Sequence, residues 1–282
     1  MAASLANLYI PRVASKRSPE TLRERQKRLA STRCNGDGEP RTTDTLRRLC
    51  LETSVVGDAA GSSLVELGHT KVLCRVEGPM TDSNMSQVEE GMLQCKVEFA
   101  HQFGRVEDAA GSVSALEGGG PSNPLRRSHS TVLQEVDMEA RIRNALLPAL
   151  NLAEYPKCVV SVHLMVLQDD GSVVSSCLVA ASLALADARV DMYDLVTSCT
   201  VVSFADETLL ADPCSAEVAA SDGSLVLAMM PSWKEVTLWQ QSGPAPTAAV
   251  DLCRDGCRTL YRFMRQCLVD NEERRGRSPS AT

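Results

Sequence analysis

Apolar and polar residues alternate most regularly between Lys157 and Val166. Cys158, Val160, Val162, Leu164 and Val166 are all apolar, whereas Val159, Ser161, His163, Met165 and Leu167 are mixed. A period of two with one fully apolar face predicts a strand buried on one side and partly covered on the other. Gln168-Asp169-Asp170-Gly171-Ser172 then predicts a turn in which Gly171 relieves the backbone and Asp170 or Ser172 caps the next segment. Val173 to Ala188 is apolar nearly all round and rich in Ala and Ser, which predicts a helix buried on every side and able to sit close against a sheet. It is shorter than the roughly 20 apolar residues of a membrane span.

The same patterning places strands at Leu49–Val56, Ser62–Leu67, Lys71–Glu77 and Met92–Phe99, with turns at Gly57-Asp58 and Gly68-His69. Apolar residues from Val132 to Leu150 recur at helical spacing, so a helix is expected over 132–152, bent or tightened near Pro148. A strand follows at Ser198–Ala205, then an acidic connection over Thr208–Ala220. A hairpin of Ser224–Met230 and Glu235–Gln240 comes next, and a last helix over 246–271. On that helix Val250, Cys253, Cys257, Leu260, Met264 and Cys267 form the buried stripe, while Arg254, Arg258 and Arg262 face outward with Asp251 and Asp255. Residues 1–36 read as a charged N-terminal extension with a helix over 19–30. Residues 105–130 read as a mobile loop and 273–282 as a disordered tail, which leaves one domain over 37–272.

Composition narrows the function. Of 282 residues, 44% are hydrophobic and 23% charged, as in a soluble globular chain, and the net charge of −7 argues against a domain that grips nucleic acid alone. The eleven cysteines mostly lie within apolar patterns, where a free thiol behaves as a small hydrophobe. No secretory signal is visible, so no disulfide framework is expected. Cys253 and Cys257 are four apart but have no nearby His or Cys pair, so no metal site is expected there. His69, His101, His129 and His163 have no partner spacing either.

VLQDDGSVVSSCLVAASLALADARVDMYDLV, residues 166–196, resembles the ribonuclease PH family at its most characteristic segment, where active members read V-L-Q-A-D-G-G-T-R-T-A and later A-L-A-D-A-G. GSSLVELGHTKVLCRVEGP, residues 61–79, is similar to the family's G-S-A-x-V-E-x-G-x-T-K-V-x-C-x-V-x-G-P. Asp37-Gly38, Arg41, Asp44 and Arg47 form a degraded version of its opening motif D-G-R-R-x-D-E-x-R. Within the family, ADARVDMYDLV and AEYPK resemble most the mRNA-transport-regulator-type subunit of the eukaryotic exosome ring. The resemblance implies an α/β (α+β) ribonuclease PH fold, ribosomal protein S5 domain 2-like, with two similar β-α halves in one domain.

What the family does, this sequence is poorly equipped to do. Phosphorolysis sets inorganic phosphate against the last phosphodiester of an RNA. It needs a guanidinium and helix-end amides for the phosphate, and carboxylates to bind a metal or move a proton. The matched motif puts Val174 where the phosphate arginine belongs, and Val173 in place of the preceding threonine. Asp212 follows the Leu209-Leu210 run and fills the first acid position, but six residues on stands Val218, with Glu217 displaced by one. Arg105, Arg126 and Arg127 are the candidates to face RNA and are read as solvated loop charges.

The expectation is therefore no catalytic, metal-binding or cofactor-binding residue. The chain is read as a structural member of the exosome core ring, supporting RNA processing and degradation in nucleus, nucleolus and cytoplasm. Its implied partners are other RNase PH-like subunits, S1/KH-type cap proteins and, through the assembly, RNA; no membrane is implied. Two rivals remain: an active phosphate-dependent 3'-to-5' exoribonuclease, and a free-standing RNA-binding module. Another arginine and carboxylate converging beside Gly171, within reach of an anion, would overturn the non-enzyme reading.

Overall fold

The computed structural model describes residues 33, 41–81, 90–100, 129–205 and 208–277. Among the described residues nine strands form two sheets. The first is built from β1 (Leu49–Thr53), β2 (Gly61–Leu67), β3 (Thr70–Thr81), β4 (Met92–Phe99) and β5 (Cys158–Gln168), in the order β1-β2-β3-β5-β4. Neighbours are antiparallel except β4 and β5, which run parallel because α1 (His129–Leu146) forms the crossover between them. The second sheet holds β6 (Thr197–Ser203), β7 (Leu209–Ala211), β8 (Gly223–Met230) and β9 (Glu235–Ser242), antiparallel in the order β7-β6-β8-β9. Helices α2 (Val173–Asp187), α3 (Ser215–Ala220) and α4 (Thr247–Arg277) complete the chain. The architecture is the mixed α/β one expected, in two halves.

The centre is the strand, turn and helix read first. In β5, Val160, Val162, Leu164 and Val166 are buried, while Met165 and Leu167 stand on an open face. Helix α2 lies between the two sheets, touching β2 and β3 on one side and β6 on the other. Its small residues permit that closeness. Ser63 Oγ donates to Ala180 O at 2.7 Å, and Ser175 Oγ bonds Ser198 Oγ and Thr200 Oγ1 at 3.0 and 2.7 Å. A Cβ on Gly61 would lie 2.4 Å from Ala184 O, so only glycine fits where β2 crosses this helix. All seven residues of β6 are buried, because α2 covers one face and α4 the other. On the α4 side Cys199, Val201, Leu225, Leu227, Cys253 and Cys257 make a second core cluster.

Several boundaries differ from expectation. The first strand stops at Thr53, because Ser54 turns left-handed and its N–H and hydroxyl go to the buried Asp187 carboxylate. Helix α1 starts at His129 and ends at Leu146. Pro148 lies in a 3-10 turn over Leu147–Ala149, which is the tightening its ring predicts. The connection over 208–220 holds β7 and α3, which sequence patterning missed: three and six residues are too short to show a period. Helix α4 continues to Arg277, six residues beyond its expected end, anchored there by Arg275 Nη2 at 2.8 Å from Asp187 Oδ1. Neither Asp170 nor Ser172 caps α2: Ser172 is at the N-cap with φ 56° and makes no side-chain cap bond. The expected helix over 19–30 lies outside the described residues, as do most of the 105–130 loop and Arg105, Arg126, Arg127 and His101. No described helix is long and apolar enough to cross a membrane.

Candidate functional site

Three segments meet at the N-terminus of α2: the turn 169–172, the stretch from β7 into α3, and the chain leading into β1. Gly171, at φ 87°, holds the turn. A Cβ there would lie 2.7 Å from Pro213 O and 2.8 Å from Ser215 N. Asp169 Oδ1 accepts the Gly171 N–H at 2.9 Å, and Thr70 Oγ1 accepts the Asp170 N–H while donating to Gly171 O. The turn is tied to the second half of the molecule as well. Ser215 N donates to Asp170 O at 3.0 Å and Ser172 Oγ to Pro213 O at 3.1 Å.

Asp212 is 2% exposed and adopts φ 49° at the end of β7. Its Oδ2 accepts both the Nε–H and the backbone N–H of Arg47 at 2.9 Å, and its Oδ1 accepts Arg47 Nη2 at 2.8 Å. The remaining donors of Arg47 reach Thr70 Oγ1, Asp170 O and Gly171 O. An arginine and a carboxylate do therefore converge beside Gly171. But all five guanidinium N–H groups of this arginine are engaged inside the protein, so none is left for an anion. Burial alone would push the Arg47 guanidinium down; the hydrogen bond and charge of Asp212, with Asp170, more than offset it and hold the group above its ordinary value.

The outcome at the second acid position is a correction. Val218 lies on the outer face of α3 and is 39% exposed, whereas Glu217 is 1% exposed and faces inward. The cause is local. Position 217 is the third residue of α3, and its Oε2 folds back to accept the Cys214 N–H at 2.9 Å, forming a capping box. Its Oε1 accepts Arg33 Nε at 2.9 Å. Arg33 also donates to Thr42 O and, at 3.0 Å, to Ala211 O. Arg41 completes the cluster, with Nη2 2.8 Å from Asp212 O and 3.7 Å from Glu217 Oε2. Burial, and secondarily the charge of Arg33, push the Arg41 guanidinium down. Three guanidiniums thus face the carboxylates of Asp170, Asp212 and Glu217, and the charges balance.

These acids do not fit a metal ion. Both oxygens of Asp212 are held by Arg47, and those of Glu217 by Arg33 and a backbone amide; positive charge already stands where a cation would sit. Val174, half-buried, packs against the core on the first turn of α2, so the phosphate arginine has no replacement on that helix turn. Asp212, matched to the first acid position, is the centre of an ion-pair cluster. The degraded opening motif supplied the one signal for that cluster, in the spacing of Arg41 and Arg47. Arg33 lies in the expected extension and had none.

The other candidates are placed simply. His69 is an exposed turn residue between β2 and β3, and His163 lies on the open face of β5, 3.9 Å from Glu77. Cys253 and Cys257 are core residues whose thiols donate to the carbonyls of Cys199 and Thr197. Hydrogen bonding with Cys199 followed by burial raises the Cys253 thiol, and burial first raises Cys257, so both are held toward the protonated form. Asp251 and Asp255 pair with Arg254 and Arg258 on the outer face of α4, as expected.

Comparison with known proteins places the chain by family and fold. Residues 45–191 match domain 1 of the 3' exoribonuclease family, RNase PH, and residues 194–250 match domain 2. The mouse exosome complex component MTR3 is 34% identical over 251 residues, covering 82% of this chain and 85% of the relative. The exosome complex component Rrp41 of Cenarchaeum symbiosum is 31% identical over 244 residues, covering 84% and 90%. Among solved structures, rice Rrp46 superposes with a TM-score of 0.65 at 19% identity, covering 82% of this chain and 98% of that one, a likeness of fold.

Proposed function

The chain belongs to the 3' exoribonuclease (RNase PH) family, and on that premise we propose that it is a non-catalytic structural subunit of an exosome core ring. In this reading it supports 3'-to-5' RNA processing and degradation by binding other RNase PH-like subunits and S1/KH-type cap proteins, in nucleus, nucleolus and cytoplasm. The observation that carries the proposal is the Arg47–Asp212 pair. The acid in the family's first position is bound on both oxygens by an internal guanidinium, and that guanidinium has no donor free for phosphate. Val174 on the same helix turn offers no cation instead. Electrostatic stabilisation is usually the largest part of such catalysis, and here the charges that would supply it neutralise one another.

One observation favours the rival, an active phosphorolytic enzyme. Two carboxylates, Asp212 and Glu217, still face one cluster. Affinity purification from native extract followed by mass spectrometry tests the scaffold: other RNase PH-like chains and cap proteins should be recovered in comparable amounts. Recovery of the chain without any of them would defeat it.

A further inference from the structure

The two sheets have four edge strands, and three of them are closed by the chain's own groups. Along β4, the N–H groups of Val97 and Phe99 are accepted by the Glu139 and Glu135 carboxylates of α1 at 3.0 and 3.3 Å. Along β1, Leu51 O accepts the Cys267 thiol of α4. At β7, the Ala211 N–H goes to Thr43 O, and its carbonyl accepts Arg33 and Arg41. Folded proteins manage exposed edges in this way because unpaired main-chain groups recruit other strands.

The fourth edge is managed differently. Strand β9 pairs with β8 on one side. Among the described residues nothing donates to or accepts from its other side, and its one side-chain bond runs from Gln241 to Gly243 O at its own end. Val236 through Ser242 contains no charged residue and no proline, so its guards are Glu235 at its start and an irregularity between Val236 and Leu238. Val236 and Trp239 are each 51% exposed on the sheet face beside it, and this chain has only two tryptophans. Tryptophan is enriched where partner chains bury most of their binding energy.

We infer that the free edge of β9 receives an extended strand of a partner protein chain, which continues the second sheet and covers Val236 and Trp239. The inference rests on the ring reading, whose partner it supplies with a docking edge. The partner strand carries apolar side chains on the Trp239 face, and its main chain pairs the main-chain groups that β9 leaves open.

Hydrogen exchange on the full chain, alone and in a ring reconstituted with the other RNase PH-like chains, is the test. The outward amides of 235–242 exchange freely in the isolated chain and slow by about 100-fold or more on assembly. Val236→Lys with Trp239→Lys, in a chain that still melts cooperatively above the assembly temperature, lowers incorporation about tenfold or more. A ring that assembles without added protection at 235–242 overturns the inference and leaves the ring reading standing. A wild-type chain that captures no RNase PH-like chain overturns both. Protection that appears in the isolated chain as its concentration rises assigns the edge to a second copy and overturns the partner strand.

Discussion

Replacing Asp212 with Asn tests how far the buried ion-pair cluster holds the two halves together. Asn tolerates the left-handed backbone at this position, φ 49°, so the change removes charge without adding backbone strain. It leaves the Arg47 guanidinium, 7% exposed, with only the more distant Asp170 carboxylate at 3.8 Å, and Arg41 without the carboxylate 3.9 Å away. Breaking a buried pair by removing one partner costs about 3–5 kcal/mol, because a charge is left uncompensated in a low dielectric. In a protein of this size each kcal/mol lowers the melting midpoint by about 2–4 °C, so a fall of roughly 10 °C is expected. Urea unfolding of wild type, Asp212→Asn, Arg47→Met and the double variant gives the coupling directly. The double variant removes both charges and should recover about 2 kcal/mol or more relative to the sum of the single losses. A loss below about 1 kcal/mol for Asp212→Asn, or single losses that simply add, would refute the role given to this pair.

Burial holds the Cys95 thiol up to about 12, and burial raises Cys74 and Cys177 as well. Unfolded thiols ionise near pH 9 while the folded ones stay protonated. Stability is therefore fully present below pH 9 and falls above it, by up to about 1.4 kcal/mol per pH unit for each such thiol; a pH series of urea midpoints from 7 to 11 checks this. Gly171→Ala forces a Cβ to within 2.7 Å of Pro213 O at a left-handed backbone and should cost roughly 2 kcal/mol or more in the same unfolding assay. Val218→Asp, on the exposed face of α3, should change stability by less than about 0.5 kcal/mol. Val174→Arg, with or without Val218→Asp, should confer no phosphate-dependent release of nucleoside diphosphate, since Arg47 still occupies Asp212.

The central strand, turn and helix were legible because their periods run for ten residues or more, and the family motifs lie on those same elements. Gly171 was legible as a turn glycine and Asp212 as the residue filling the first acid position. The cluster around Asp212 was not, because its members are remote in sequence: Arg47 and Asp212 are 165 residues apart, Arg33 and Glu217 184 apart. No local pattern encodes such pairs. The error at 217 and 218 has a different origin. Counting six residues from Asp212 assumes one backbone path, whereas α3, with an ordinary cysteine at its N-cap, turns Glu217 in and Val218 out. The backbone explains the misread cap of α2: Ser172 is left-handed at φ 56° instead of extended as an N-cap residue normally is, and its hydroxyl donates to Pro213 O, on a segment no periodicity placed beside it.

The most direct test of the scaffold account is phosphate-dependent release of nucleoside diphosphates from a single-stranded RNA 3' end, measured on the full chain and on the ring reconstituted around it. The account predicts no release by the chain alone, and a ring activity unchanged when a stably assembled Asp212→Asn chain replaces the wild type. Release by the wild-type chain or ring that disappears with Asp212→Asn, in a ring shown to remain intact, would contradict it.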